Sequence, residues 1–507
     1  MAAPPAPAVT APSSAAVAVP APRRAAEARA LPRVIQGGMG VAVSSWRLAS
    51  EVSRAGQLGV VSGTALDLVL ARRLQDGDLD GSCRRALAAF PVPAVAERAV
   101  KRFHRPEGRP PGTPYVPLPR LALRQTRAMQ ELTVLGNFVE VWLAKEGHGG
   151  PVGINFLEKV QMATPAAAYG AMLAGVDVVL MGAGVPREIP QLLDLLAEHR
   201  PVRLPVHVTG AEADAYGVEL DPVALLGDDV PPLRRPDLLA IVSADVLAAY
   251  LARDDRIRPE GFVVEGHTAG GHNAPPRGRP VLDDLGQPVF GPRDQANIAK
   301  IAALGLPFWL AGSFGTPEGL RAAEAAGAAG VQVGTLFALS SDSGLAPELR
   351  ETLLADLRAG TLEVRTDPRA SPTGFPFKVA QVPGTLSDPA VMAARPRLCD
   401  LGYLRTPFVR DGGTVGYHCP AEPLTTHLRK GGTPEEAEGR ACLCNALAAD
   451  VGLGQTRADG YVEPPLLTLG TDLDGPARLA AEHPAGWTAA EALAWLLPED
   501  AARLPTP

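Results

Sequence analysis

Short runs of consecutive apolar residues, each ending in Gly or a small or polar residue, recur along the chain from residue 34 to residue 334. They are Val34 to Met39, Leu58 to Ser62, Val152 to Leu157, Val176 to Met181, Leu238 to Ser243, Phe262 to Glu265, Phe308 to Ala311 and Val331 to Gly334. Continuous rather than alternating hydrophobicity predicts strands buried on both faces, the habit of parallel sheets. Between the runs the spacing predicts helices over Trp46 to Ala55, Pro165 to Ala174, Arg187 to His199, Asp245 to Ala252, Asp294 to Leu304 and Pro317 to Ala326. Eight strands alternating with helices give an α/β fold, a (β/α)8 TIM barrel with insertions and an appended C-terminal region. An open doubly wound sheet is the competing architecture. A ninth run, Val202 to Val208, exceeds the count and reads as an extra strand, because Leu238 to Ser243 leads directly into a helix start at Asp245.

Residues outside this repeat set the domain plan. The first 30 are mostly Ala and Pro; Pro4, Pro5, Pro7, Pro12, Pro20 and Pro22 interrupt any apolar core of a secretory signal, and Arg23 and Arg24 follow it rather than precede it. A disordered tail over 1–30 is the reading. The barrel is expected over 31–345, with surface insertions at about 75–125, rich in Pro and Arg, and 210–236. Residues 346–507 leave the pattern, keeping a helix at Pro347 to Ala359 and another at Thr488 to Leu497, and are expected to pack on the barrel. At 507 residues and 46% hydrophobic the chain can bury a large core, and its net charge of -7 supplies no basic footprint for nucleic acid or an anionic membrane. No run approaches the roughly 20 apolar residues of a bilayer span. A cytoplasmic location is the expectation.

In parallel barrels function gathers where the strands end. The first run ends in Gln36-Gly37-Gly38-Met39-Gly40 and the second in Ser62-Gly63-Thr64; the third carries Asn155, whose amide both donates and accepts. The seventh ends in Ala311-Gly312-Ser313-Phe314-Gly315 and the eighth in Gln332-Val333-Gly334-Thr335, and glycines with free N–H groups there are the usual phosphate cradle of this architecture. The sixth runs into Gly266-His267-Thr268-Ala269-Gly270-Gly271-His272, where Gly270 and Gly271 let a flat ligand lie against the backbone and His272 faces it. Any one Gly pair is most often only a turn, and Gln36 or Asn155 alone reads as well as a capping or carbonyl-satisfying amide. Their placement at the same end of successive strands favours a site.

The runs Val-Ile-Gln-Gly-Gly-Met-Gly at 34–40, Leu-Gly-Val-Val-Ser-Gly-Thr at 58–64, Ala-Gly-Gly-His at 269–272 and Gly-Val-Gln-Val-Gly-Thr at 330–335 together resemble the nitronate monooxygenase (2-nitropropane dioxygenase-like) family, over about residues 32–345. The resemblance implies an FMN-dependent barrel related to flavin-type enoyl-acyl-carrier-protein reductases. It implies that Gln36, Gly37, Gly38 and Met39 lie along the isoalloxazine, that Gly63 and Asn155 contact the ring or ribityl chain, and that Gly312, Ser313, Gly334 and Thr335 hold the phosphate. His272 matches the family's catalytic histidine. The family usually has Gly-Gly where Gly312-Ser313 stands here.

With an ordinary imidazole pKa, His272 is the expected general base, taking the proton alpha to a nitro group or orienting the nitronate while FMN passes electrons from substrate to O₂. Two rivals stand beside this: an NAD(P)H-dependent enoyl reductase and a non-catalytic flavin-binding subunit of a biosynthetic complex. His267 is either a second polar contact or a solvent-facing loop residue, and Arg277 either an anion contact or part of a rigid surface turn. Cys399, Cys419, Cys442 and Cys444, with His418 adjacent, either close a zinc site or hold an iron–sulfur cluster, or are small buried hydrophobes. Trp46, Trp142 and Trp309 read as core. The turn Ser371 to Phe377 is a candidate lid over the barrel mouth.

Overall fold

Eight strands pair in parallel in the computed structural model, which describes residues 30–499. In chain order they are β1 (Val34–Gln36), β2 (Gly59–Ser62), β3 (Val152–Leu157), β4 (Val178–Gly182), β5 (Asp237–Val242), β6 (Gly261–Glu265), β7 (Phe308–Ala311) and β8 (Gly330–Val333). Each pairs with its chain neighbours, and β8 pairs with β1 in the register Val34 to Val331 and Gln36 to Val333. The ring closes between β1 and β2, where the Leu58 N–H donates to the Val34 carbonyl at 3.1 Å and the Gln36 N–H donates to Leu58 at 3.0 Å. The buried Gln36 side chain reinforces this seam, its Oε1 accepting from the Val60 N–H at 3.0 Å. The fold is a (β/α)8 TIM barrel, not an open sheet.

Alternation along each strand sorts side chains into two populations. Ile35, Val60, Leu180, Leu239, Val263 and Trp309 fill the barrel axis. Their neighbours, such as Val34, Phe262, Val264 and Val331, point outward and pack under the helices. Both faces are thus buried, as unbroken apolar runs require. Trp309 is core, whereas Trp46 and Trp142 are partly buried against the outer cluster.

Two regions depart from expectation and one extra run behaves as read. Residues 75–125 are no loose insertion: helices Ser82–Ala88 and Pro93–Phe103 bury Cys83, Leu87, Phe90, Val95 and Phe103. The ninth run is an extra strand as expected: Val202–Pro205 pairs antiparallel with Gly217–Leu220 outside the barrel sheet. Position 345 is no boundary, since residues 32–499 belong to one compact unit. Helix Ala489–Leu496 packs against both Trp46–Arg54 and Pro317–Ala325, so the end of the chain completes the helical shell beside β8 and β1. The helix directly after β8, Thr335–Ala338, has four residues, and the outer face there is covered by it together with Pro347–Ala359 and the later helices. The tail expected over 1–30 lies, but for Ala30, outside the described residues. Among the described residues no helix is long and apolar enough to cross a membrane.

Candidate functional site

At the carboxyl ends of the strands lies a cavity of about 270 Å³, lined by residues from the strand-end loops and from the distant C-terminal segment. That is near the roughly 300 Å³ lower end of ligand pockets. Gly37, Gly38, Met39, Asn155, Gly270, Gly271, His272, Gly312, Ser313, Gly334 and Thr335 all line it. The glycines work by close approach. A Cβ on Gly38 would stand 2.3 Å from the Asn155 Cβ, so the loop after β1 could not lie so close to β3 with any other residue.

Two predicted contacts do not reach the cavity. Gln36 faces outward from β1, where its Nε2 donates to the Gly37 carbonyl at 2.6 Å and to Ser44 Oγ at 2.8 Å. It braces the Gly37 loop from behind. Gly63 lies beneath Phe156, whose ring would be 2.5 Å from a Cβ there; its neighbours Ser62 and Thr64 do line the cavity.

Polar groups without partners mark what the cavity can hold. The Asn155 amide donates to the Gly38 carbonyl at 3.1 Å, but its Oδ1 and the Oε1 of Gln332 are buried with no hydrogen-bond partner. Orphaned acceptors are costly unless a ligand donates to them, and the N–H edge of a flat heteroaromatic ring would. Among the described residues nothing accepts from the backbone N–H groups of Ser313, Phe314 and Gly315, which follow β7. Such a run of free donors suits phosphate. Gly312 has φ 78° and Ser313 φ 60°, the left-handed region that favours glycine at both positions. Ser313 offsets that strain by donating to Thr268 Oγ1 at 2.9 Å. Thr335 is engaged differently from expectation, its Oγ1 accepting from the Gly470 N–H at 2.9 Å. The residues present therefore fit a flavin nucleotide, with Asn155 and Gln332 toward the ring and the turn after β7 toward the phosphate.

His272 sits at the cavity wall, half-buried. Its Nε2 is 2.6 Å from Ser371 Oγ, which in turn bonds Thr373 Oγ1 at 2.8 Å, and its ring packs edge-on to Phe377 at 4.8 Å. The Ser371 to Phe377 turn thus backs the histidine loop, and its strand pairs with it through the Lys378 N–H donating to Gly271 at 2.9 Å. Burial, helped by the charge of Lys159, lowers the imidazole from 6.5 to about 4. His272 is neutral at physiological pH, as a base must be, yet far weaker than an ordinary imidazole.

Sequence reasoning missed the segment Thr468 to Gly470, which crosses the mouth. Thr468 Oγ1 accepts from the Gly271 N–H at 2.9 Å, and Thr471 donates to the Thr268 carbonyl at 2.9 Å. No local signal announces contacts spanning about two hundred residues of sequence. It also missed Glu265, the last residue of β6 and in phase with the inward-facing Val263. Here a signal existed: a carboxylate ending an apolar run on its inward face.

His267 and Arg277 lie away from the main cavity. They line a small outer one of about 40 Å³ with Glu265, Asn273, Phe290 and Asp294, where His267 stacks on Phe290 at 4.5 Å. Lys145 pairs with Asp177 at 2.6 Å and Glu146 with Arg85 at 2.8 Å, both outside the cavity.

The candidate metal ligands are the C-terminal thiols Cys399, Cys419, Cys442 and Cys444. Cys419 and Cys442 cluster with Cys444 against them, but among the described residues no three or more His, Cys, Asp or Glu side chains are arranged to hold a metal ion. Burial raises the thiol pKa of Cys399 to about 11 and of Cys419 to about 12, and that of Cys444 well above its usual value. Neutral thiols in an apolar patch pack as small hydrophobes.

Residues 236–368, which carry the His272 loop and the turns after β7 and β8, match the family model described as nitronate monooxygenase, an oxidoreductase family. No curated protein matches the chain. Among solved structures, FabK from Thermotoga maritima is 18% identical over 92% of each chain with a TM-score of 0.43. Nitroalkane oxidase from Streptomyces ansochromogenes is 15% identical over 93% of this chain and 96% of that one, TM-score 0.40. The enoyl reductase domain of MlnA from Bacillus amyloliquefaciens is 12% identical over 71% of this chain and 65% of that one, TM-score 0.37. At these scores the likenesses add nothing to a fold that the strand pairing establishes by itself.

Proposed function

We propose that this chain, whose residues 236–368 carry the nitronate monooxygenase match, is an FMN-dependent oxidoreductase acting on alkyl nitronates or nitroalkanes with O₂. The observation that carries the reading is the pairing of two orphaned acceptors, Asn155 Oδ1 and Gln332 Oε1, with the free N–H groups after β7 around one cavity beside His272. When bound, FMN would accept the substrate's electrons and pass them to O₂.

The protein supplies the rest. The Gly37, Gly38 and Gly271 backbones leave room for a flat ring, and the apolar walls Val41, Ile241, Phe314, Leu336 and Phe377 exclude water from the reacting carbon. His272, neutral and held through Nε2 by Ser371, orients the nitro or nitronate oxygens. A nitronate arrives already deprotonated, so a weak base suffices for it.

Purified protein supplied with excess FMN should show flavin absorbance between 350 and 500 nm, which an anaerobic alkyl nitronate bleaches and air restores. A colourless protein that takes up no FMN would end this reading. Bleaching by NADPH but not by nitronate would replace it with a reductase.

A further inference from the structure

A neutral nitroalkane presents a demand that a nitronate does not: its Cα–H proton must be removed by a base inside the cavity. His272 is poorly matched to that task, since general-base efficiency is greatest when the base's pKa lies near the working pH. The inner top layer of the barrel contains one ionisable side chain among its strand residues. Alternation places Asn155, Ile241, Glu265, Ala311 and Gln332 in phase with the axial residues Val263, Leu239 and Trp309, and all five line the cavity floor. Of these only Glu265 can exchange a proton.

We propose that Glu265 is the group that accepts the proton of a neutral nitroalkane in this cavity, the step that turns the parent nitro compound into its nitronate there. This rests on the nitro-substrate reading above. In the step, the Cα–H bond breaks and its electron pair becomes the C=N bond of the nitronate. One N=O pair moves onto oxygen, and the proton forms an O–H bond on the Glu265 carboxylate. No oxidant enters.

The surroundings fit. Among the described residues no hydrogen bond or ion pair engages the Glu265 carboxyl, so its oxygens are available to a substrate. Below it the axis is apolar, and burial alone raises the carboxyl from 4.5 to about 7. The flanking strands add no charge at that end: β5 finishes Ala240-Ile241-Val242 and β7 finishes Trp309-Leu310-Ala311. His272 and Asp472 share the main cavity; His267, Arg277 and Asp294 share the outer one, and the charge of Lys378 acts on His267. The outer cavity gives the proton a way out. Its space of about 40 Å³ admits a water, and Asn273 Oδ1, buried without a partner, is there to hold it.

The test compares FMN-loaded wild type, Glu265→Gln and Glu265→Asp on one nitroalkane and on its preformed nitronate. Glu265→Gln should lower kcat/KM for the nitroalkane by roughly a hundredfold or more, the usual worth of a general base, and by far more than it lowers that for the preformed nitronate. Glu265→Asp should restore part of the loss, and the inflection near pH 7 in the wild-type nitroalkane profile should vanish in Glu265→Gln. Independently of turnover, ¹³C NMR of glutamate-labelled protein should show one carboxyl titrating near pH 7 that Glu265→Gln removes. Equal loss on both substrates, no loss on either, or no glutamate titrating above pH 6 would overturn the proposal. Should wild type with bound FMN take neither substrate, the nitro-substrate reading itself falls and this role with it, an outcome visible before any variant is made.

Discussion

At the scale of single residues, one cause acts on His272 and Glu265, both lining the cavity, in opposite directions. Burial disfavours charge, so the His272 imidazolium loses its proton early and the Glu265 carboxyl keeps its own late. For Glu265 the native state holds a proton up to about pH 7, whereas the unfolded chain releases it near 4.5. The native fold is therefore favoured below 4.5 and loses that advantage as pH rises through 7, by about 3 kcal/mol at most. Glu265→Gln removes this loss. Its Tm should match that of wild type at pH 4.5 and exceed it increasingly up to pH 8, read by thermal melts across that range. His272 runs the other way: its contribution is full above 6.5 and lost as pH falls through about 4. Much of the residue chemistry was legible beforehand. Gly38 and His272 announce themselves by type and spacing, whereas Gln36 misled, because an amide at a strand end can face either side and only the phase of β1 decides which.

At the scale of elements, the histidine loop is held by partners from far along the chain. Its Gly271 N–H has Thr468 Oγ1 as acceptor, and the loop lies under the segment Thr468 to Gly470. Thr468→Val keeps the shape and deletes the acceptor, stranding a part-buried donor at a cost of roughly 1–3 kcal/mol. The expected result is faster amide exchange at Gly271 and His272 and a raised KM, with the barrel strands still protected; hydrogen-exchange mass spectrometry resolves the two. The eight strands were readable as apolar runs because both faces are buried. The helices within 75–125 were not, since they alternate short buried stretches with Arg and Pro that the pattern reads as surface.

At the scale of the whole molecule, the barrel is not a unit that the chain finishes and then decorates. Leu353, Leu357, Leu479, Trp487 and Leu493 share one core with Val331, Phe337 and Val34, and Trp487 Nε1 donates to the Leu336 carbonyl at 2.9 Å. A chain cut after residue 345 exposes the outer faces of β8 and β1 and loses Ser371 and Thr468 from the site. It is expected to lose cooperative unfolding and flavin binding, which calorimetry and absorbance would register; a sharp melt with bound flavin would show the barrel to be autonomous. The sequence by itself determined the barrel strands, the cluster of glycines at their carboxyl ends and the histidine among them, because strand burial and close backbone approach each demand residue types that are local and recognisable. Only the tertiary structure decided that the helix Ala489–Leu496 closes the helical shell, that Ser371 and Thr468 hold the histidine loop, that Cys419, Cys442 and Cys444 pack together, and that Glu265 turns inward onto an apolar axis. Those outcomes depend on which surfaces meet across hundreds of residues and on the desolvation that follows, and neither is written in any local run of amino acids.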